Sequence, residues 1–174
     1  RFSAALKVGN GLHEGIDLGP LISQRQLDRV MGYVYAGPKE GASLATGGTR
    51  LGGALASGYF VEPTVFANVN NEMTIAREEI FGPVISVLPF DTVDEVLKMA
   101  NDSEYGLGGG VWTRNLATAH PVSQGLHSGT VWVNCYGAVD PSVGFGGVKL
   151  SGYGWKGSLE HVDSFLYRKA VYMN

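Results

Sequence analysis

The sequence has a single cysteine, Cys135, in a chain of 174 residues. One cysteine cannot form a disulfide within the chain, so a reducing, cytoplasmic setting is expected. Long apolar runs are also absent: none approaches the ~20 residues that a membrane-spanning helix needs. Nor does charge of one sign dominate, because 13 basic and 16 acidic residues give a net charge of -3. The sequence therefore predicts neither a membrane protein nor a nucleic-acid-binding protein.

The composition is that of a folded protein with an unusual share of glycine. Hydrophobic residues make up 44% and charged residues 17% of the chain, which is typical of a globular domain. There are 26 glycines, against the roughly 12 that an average usage of ~7% would give. We therefore expect the backbone to approach other groups closely at many points. The first residues, RFSAALKVGNG, resemble the end of a helix already under way.

The clearest element is a helix over residues 23–37. Ser23 is a plausible N-cap, and Gly37-Pro38 is the expected end. Its apolar residues recur at helical spacing and predict one buried face: Leu27, Val30, Met31 and Val34.

Further along, short apolar segments alternate with helical ones. The predicted strands are ASLATGG, YFVEPTVFANV, PVISVLPF, YGLGGGVWT and GTVWVN. The predicted helical segments are MTIAREEIFGP, which should stop at Gly82-Pro83, TVDEVLKMANDS and NLATAHPVSQGLHS. Pro63 should confine its strand to an edge or a bulge, and Pro121 should interrupt the last helix. Strands that alternate with helices and are apolar on both faces predict an α/β fold, with an open, largely parallel sheet flanked by helices. The closing segment SFLYRKAVYMN predicts a strand that pairs either within this domain or with another subunit.

Two weaker patterns have some features of functional sites. Gly152, Gly154 and Gly157 have the spacing of a dinucleotide-binding fingerprint, but the glycine-rich GFGGVKL precedes them where a buried strand is needed. No histidine has metal-ligand spacing with Cys135, so no metal site is predicted. A cysteine–histidine hydrolase would need one of them to reach Cys135 in space, which the sequence leaves open. The four histidines are scattered: His13, His120, His127 and His161.

The segment REEIFGPV, residues 77–84, carries more chemistry. Two adjacent carboxylates, Glu78 and Glu79, are followed by Phe81 and by a Gly-Pro turn into an apolar strand. A carboxylate held at a sheet edge can accept two hydrogen bonds from a vicinal diol, and a phenyl face can lie against a planar ring. The alternative is a solvated glutamate pair beside a core phenylalanine, which the residues by themselves favour.

Several motifs together resemble the aldehyde dehydrogenase superfamily. REEIFGPV, YGLGGGVWT, GTVWVN and FGGVKLSGYG occur in that family's order and spacing, as do GPLIS, GYFVEPTVF and MTIAREE. The resemblance implies that residues 1–157 are the C-terminal portion of the catalytic domain and that residues 158–174 are an oligomerisation strand segment. It also implies oxidation of an aldehyde to a carboxylic acid with NAD or NADP, through a cysteine thiohemiacetal. The cysteine nucleophile and the glutamate base are then expected upstream of Arg1, so the chain alone should be inactive.

The same resemblance assigns roles to residues of the cofactor site. Glu79 should bind the hydroxyls of the nicotinamide ribose, and Phe81 should pack near the nicotinamide. Gln26 and Arg29 match positions that approach the same ribose.

Three other residues are assigned to the substrate pocket. Phe145 should line the aldehyde tunnel, Val139 should face it, and Cys135 should border it as a small packed side chain rather than as the nucleophile.

The sequence departs from the family pattern at two places. Gly144 precedes Phe145 where the family often has proline. Trp155-Lys156 replaces the common Arg-Glu, and a lysine cannot act as the anionic acceptor of the proton relay assigned to that glutamate.

The sequence leaves three alternative functions open. The first is a fragment of an enzyme that acts on a small-molecule aldehyde and assembles as a homodimer or homotetramer through the C-terminal strand. The second is a stand-alone, non-catalytic binding or oligomerisation module of the same fold. The third is a thiol enzyme that uses Cys135.

Overall fold

The computed structural model describes residues 1–174 and divides into two units, Arg1–Phe90 and Asp91–Asn174. The first unit contains α1 (Phe2–Ala5), α2 (Gln24–Lys39), β1 (Ser43–Thr46), a 3₁₀ helix (Gly53–Leu55), β2 (Thr64–Ala67), α3 (Thr74–Arg77) and β3 (Val84–Ser86). The second contains α4 (Val93–Asn101), β4 (Tyr105–Gly106), β5 (Gly108–Val111), α5 (Leu116–Gly125), β6 (Thr130–Val133), β7 (Phe145–Gly146), β8 (Val148–Lys149), β9 (Trp155–Lys156) and a 3₁₀ helix (Glu160–Phe165). None of the helices has the length and apolar character that crossing a bilayer requires.

Helix α2 forms where the sequence predicts it, but it ends later. Ser23 Oγ accepts a hydrogen bond from the Gln26 amide at 3.2 Å, as expected of an N-cap. The predicted end at Gly37-Pro38 is wrong, because the helix runs through Pro38 to Lys39. Gly41 ends it instead: at φ +100° it allows the Ala42 amide to reach back to the Gly37 carbonyl at 3.0 Å. This is a Schellman termination, which needs a residue with a left-handed φ just past the end of the helix. Gly41 is at that position, whereas Gly37 lies inside the helix.

The sheet of the first unit has the order β1-β2-β3. Strand β2 pairs antiparallel with β1 and parallel with β3, with Thr64 opposite Val84. The expectation that Pro63 confines this strand to an edge is wrong, although the register of the β1–β2 pair shifts between Leu44 and Thr46, as at a bulge. Strand β2 lies at the centre of the sheet and begins one residue after Pro63, so the missing proline N–H costs no ladder hydrogen bond. Strand β3 is shorter and more exposed than predicted, with Ile85 56% exposed.

The core of the first unit lies between α2 and this sheet. Phe66 and Val30 are fully buried, and Leu27 is 1% exposed. The predicted buried face of α2 is therefore confirmed. The core cluster consists of Leu27, Val30, Met31, Val34, Ala42, Val61, Phe66, Val69, Met73, Ile75 and Ile80.

In the second unit β5 and β6 form a parallel pair, against which α5 packs. Strands β4 and β8 pair antiparallel, as do β7 and β9, so the glycine-rich segment over residues 144–157 contains short strands. Helix α5 is continuous through Pro121, and the predicted interruption is wrong. The proline ring is on an exposed position of the helix, where only one backbone hydrogen bond is given up. Parallel pairs flanked by helices confirm the predicted α/β class.

The C-terminal segment forms no strand within this chain. Residues 166–174 follow the last 3₁₀ helix without further helix or strand. Their apolar side chains are exposed, with Tyr167 at 86% and Tyr172 at 95%. The expected pairing with a second subunit therefore stays a prediction, as does a boundary at residue 158.

Candidate functional site

The segment that carries Glu79 and Phe81 is an extended connection between α3 and β3. The helical turn was expected to continue to Gly82-Pro83, but α3 ends at Arg77 and Glu78 is already extended, with φ -102° and ψ 151°. Ile80 points into the core at 8% exposure, while Phe81 is 73% exposed. Burial of Ile80 anchors the segment, while its neighbours Glu79 and Phe81 are exposed to solvent.

Phe81 has an unusual backbone. Its φ is +56°, in the left-handed region. This conformation costs a non-glycine residue about 1–2 kcal/mol. Its exposed ring gains little from burial, so other interactions must hold this conformation.

Helix α2 supplies those interactions through side chains on one face. Gln26 Nε2 donates to the carbonyl of Ile80 at 3.1 Å and to that of Phe81 at 2.9 Å. Arg29 Nη2 donates to the Glu79 carbonyl at 2.9 Å. Three consecutive carbonyls are thus fixed by two side chains one helical turn apart. The structure brings all four predicted cofactor residues together, and it uses Gln26 and Arg29 to hold the backbone of the other two.

Tyr33 extends this clamp by one more turn. Its hydroxyl donates to Glu78 Oε2 at 2.6 Å and accepts a hydrogen bond from Arg29 Nη2 at 3.2 Å. The Arg29 guanidinium also lies 5.5 Å from the centre of the Tyr33 ring. The hydrogen bond to Glu78 and then burial raise the pKa of Tyr33 above its ordinary value. The sequence analysis missed Tyr33, although it lies four residues after Arg29 on the same helical face.

The two adjacent glutamates therefore differ in what they contact. Glu78 accepts the Tyr33 hydroxyl, whereas Glu79 is exposed and only its backbone carbonyl is held. A carboxylate with free lone pairs can accept hydrogen bonds from two hydroxyl groups of a ligand. Phe81, exposed two residues later, offers an apolar face to a planar group. The arrangement suits a ligand that joins a diol to a ring.

The predicted substrate residues lie along one loop of the second unit. Val139 is 73% exposed in this loop, and Phe145 is half-buried at the start of β7, with its ring centre 6.4 Å from that of Trp132. The expectation that Cys135 is packed is wrong, because its thiol is exposed. It comes just after β6 ends, where the chain leaves the parallel pair for the loop.

The glycines of FGGVKLSGYG allow neighbouring backbone segments to approach each other closely. A Cβ placed on Gly129 would collide with the carbonyl oxygen of Gly146. Gly152, Gly154 and Gly157 surround β9 and precede a 3₁₀ helix rather than a long α-helix. These glycines therefore serve backbone packing and turns, and they lack the strand–turn–helix setting of a dinucleotide fingerprint.

The two departures from the family pattern meet in space. Strand β9, which carries Trp155 and Lys156, pairs with β7, and Phe145 lies opposite Lys156. A Cβ on Gly144 would lie 3.4 Å from the Trp155 ring, in ordinary contact. The Trp155 ring therefore covers the backbone next to Phe145.

Comparisons with known proteins agree on one family. The sequence model of the aldehyde dehydrogenase family matches residues 1–171. The betaine aldehyde dehydrogenase of Rhizobium etli is 46% identical over 169 residues, which cover 97% of this chain and 35% of that protein. Aldehyde dehydrogenase family 2 member B4, mitochondrial, of Arabidopsis thaliana is 47% identical over 164 residues, 94% of this chain and 30% of that protein.

A solved structure shows the same fold. The NAD+ complex of an aldehyde dehydrogenase from Bacillus cereus superposes with a TM-score of 0.92 at 45% identity, over 99% of this chain and 35% of that one. The chain thus spans about a third of the length of the relatives that it matches.

Proposed function

The chain belongs to the aldehyde dehydrogenase family, and we propose that it is the C-terminal part of an NAD- or NADP-dependent enzyme that oxidises an aldehyde to a carboxylic acid. Its relatives are about three times as long, and the resemblance of motifs such as REEIFGPV and FGGVKLSGYG supports a location near the end of the catalytic domain. The cysteine nucleophile and the glutamate base then belong to residues upstream of Arg1. The isolated 174 residues should accordingly show no turnover.

The observation that carries the proposal is the clamped segment with exposed Glu79 and Phe81. Two side chains of α2 hold three consecutive carbonyls and fix a left-handed Phe81. A strained backbone conformation that neighbouring residues hold in place is typical of a ligand site, and here it belongs to an exposed aromatic residue. Relatives of this fold bind NAD+, as the Bacillus cereus complex does. Glu79 would accept the two ribose hydroxyls, and Phe81 would pack against the nicotinamide.

The bound cofactor would accept the hydride that leaves the aldehyde carbon. The residues of this chain bind and orient: Glu79 and Phe81 at the cofactor, and Phe145 and Val139 at the substrate. Gln26 and Arg29 approach the ribose through the segment that they clamp. Cys135 borders the pocket without attacking the substrate. Aromatic and aliphatic walls favour an apolar small-molecule aldehyde.

The test compares the two neighbouring glutamates in the protein encoded by the whole source gene. Glu79→Gln halves the acceptor capacity of the exposed side chain, so KM for NAD should rise about tenfold, since a hydrogen bond to a charged group contributes about 1.5 kcal/mol or more. Glu78→Gln is the matched control, because an amide oxygen can still accept the Tyr33 hydroxyl. Rates are followed by the absorbance of the reduced cofactor. Equal effects of the two substitutions, or no aldehyde-dependent reduction by the wild type, would overturn the proposal.

Assembly belongs to the same proposal. The segment 158–174 exposes an unusual number of large apolar side chains, including Leu159 at 87% and Phe165 at 77%. We expect it to add to a sheet of a second subunit and to give a homodimer or homotetramer. Removal of residues 166–174 should then yield monomers in sedimentation experiments. A cytoplasmic location is proposed from the single free thiol.

The same exposed segment favours one alternative, a non-catalytic module that only assembles. That module would self-associate without any need for Glu79. Tight NAD binding that Glu79→Gln weakens would reject it.

A further inference from the structure

The loop over residues 134–143 has almost no packing of its own. Its residues are exposed, with Tyr136 at 66%, Val139 at 73% and Val143 at 64%. The proposed function places this loop at the substrate pocket, where its conformation would decide which aldehydes enter. We propose that Trp132 is the positioning residue of this loop and thereby sets the selectivity of the pocket for large aldehydes, an inference that rests on the proposed function.

The first observation is the strand beneath Trp132. Strand β5 begins with three consecutive glycines, which weaken a strand because glycine has no side chain to pack and loses the most conformational freedom. A Cβ on Gly108 would lie 2.8 Å from Cζ3 of Trp132. One on Gly110 would lie 3.0 Å from Trp112 and 3.3 Å from Tyr136. The glycines thus leave room for aromatic rings to lie directly on the strand.

The second observation is how many points of the loop Trp132 reaches. Its indole Nε1 donates to the Ala138 carbonyl at 2.7 Å. Its ring centre lies 4.7 Å from that of Tyr136 and 6.4 Å from that of Phe145. At 9% exposure Trp132 is itself fixed by burial. One rigid side chain therefore contacts the loop at Tyr136 and at Ala138, and it also lies near Phe145, two residues beyond the end of the loop.

The third observation concerns Val139, the residue next to the Trp132 hydrogen bond. On its other side the Pro141 carbonyl accepts a hydrogen bond from the Ser158 amide at 2.8 Å. The Asp140 carboxylate accepts from both the amide and the hydroxyl of Ser142, at 2.8 and 2.6 Å. Val139 is held between these anchors. Loss of the Trp132 contact would free the side that is bonded to Ala138 and would let Val139 move.

The experiment uses the protein encoded by the whole source gene and the substitution Trp132→Phe. Phenylalanine keeps an aromatic ring on Gly108 but cannot donate to Ala138. We expect KM for a bulky aromatic aldehyde to change about fivefold, the factor that corresponds to one neutral hydrogen bond. The kcat for a two-carbon aldehyde and the affinity for NAD should stay as in the wild type. Hydrogen exchange of the amides in residues 134–143 should become faster.

Two further variants complete the design. Gly108→Ala keeps the Trp132 side chain but displaces its ring, so it should change KM for the bulky aldehyde and hydrogen exchange of the loop in the same direction as Trp132→Phe. Trp112→Phe is the matched control, because Trp112 is 63% exposed and a phenyl ring at this position can still stack on Tyr136, from which the Trp112 ring lies 6.4 Å away. It should leave both readouts unchanged. If Trp132→Phe does not fold, the proposal is tested on Gly108→Ala alone, by its KM for the bulky aldehyde and by hydrogen exchange of residues 134–143.

The outcomes distinguish a failure of the proposed function from a failure of the positioning role of Trp132. If the wild type oxidises no aldehyde, the proposed function fails. If the wild type is active and neither variant alters KM for the large aldehyde, the positioning role is refuted. An equal loss for small and large aldehydes and for NAD would also refute it, because that pattern indicates a general structural defect.

Discussion

The substitution Gln26→Leu tests how the cofactor segment is held. Leucine has a similar size but no donor, so the carbonyls of Ile80 and Phe81 lose their partner at 3.1 and 2.9 Å. Two neutral hydrogen bonds contribute about 2 kcal/mol in total. The left-handed backbone of Phe81, at φ +56°, costs about 1–2 kcal/mol. Since the two terms are of similar size, loss of the clamp should remove the preference for the native conformation of Phe81.

The expected results are a less stable protein and weaker cofactor binding. The free energy of unfolding should fall by about 1–2 kcal/mol in urea titrations. The Kd for NAD, measured by calorimetry on the protein encoded by the whole source gene, should rise about tenfold, which corresponds to ~1.4 kcal/mol. Arg25→Leu is the control, because Arg25 is the exposed neighbour of Gln26 on α2.

A second substitution shows whether strain at Phe81 is the cause. Glycine adopts a positive φ without steric cost, so in a Phe81→Gly background the change Gln26→Leu should destabilise the protein by about 1 kcal/mol less than in the wild type. Equal losses in both backgrounds would refute the reasoning about strain. An unchanged Kd for NAD in Gln26→Leu would refute the role of the clamp in cofactor binding.

Three predictions concern the framework that supports this segment. Thr64→Val should lower the free energy of unfolding by about 2–3 kcal/mol, because the hydroxyl, on a residue only 1% exposed, accepts from the Gly48 amide at 2.9 Å and donates to the Glu62 carbonyl at 2.8 Å. Thr64→Ser should lose clearly less in the same urea titration, and equal losses would contradict the hydrogen-bond argument. The hydrogen bond to Glu78 raises the pKa of Tyr33, so its stabilisation is complete below the ordinary pKa of about 10 and is lost as pH rises through the raised value. Above about pH 10 the wild type should therefore lose stability faster than Tyr33→Phe does, and parallel pH curves would argue against this. Glu40→Ala should lower the free energy of unfolding by about 1 kcal/mol, because the Glu40 carboxylate accepts hydrogen bonds from the amide and hydroxyl of Thr74 at 2.7 and 2.6 Å and so caps α3. The measurement is thermal unfolding, and the control is Glu72→Ala, at an exposed position two residues before Thr74.

Local signals predicted much of the secondary structure. The buried face of α2, its Ser23 cap and the alternation of helices and strands all follow from hydrophobic spacing and capping chemistry. The errors fall where local rules compete with packing. Helices can contain Pro38 and Pro121 because the rings of these residues are exposed. Strand β2 can lie at the centre of its sheet because it begins just after Pro63.

The candidate site was predicted only in part. The motif around Glu79 and Phe81 pointed to the segment that α2 clamps, and the family resemblance singled out Glu79, but no local pattern shows that Glu78 and Glu79 differ in their contacts. Their difference depends on Tyr33, which lies 45 residues away from Glu78 in the chain. The exposure of Cys135 likewise depends on how the chain leaves β6.

The sequence by itself determined the family, the order of the main helices and strands, and the segment that carries the candidate cofactor residues, since each is encoded in motifs and periodicities of a few residues. Only the tertiary structure decided that Gln26 and Arg29 hold the carbonyls of residues 79–81, across sequence separations of 50 to 55 residues. It also placed the Trp132 indole where it donates a hydrogen bond to the Ala138 carbonyl, next to Val139. A hydrogen bond between distant residues depends on how two elements pack, and packing is settled by burial of the whole core rather than by any local pattern.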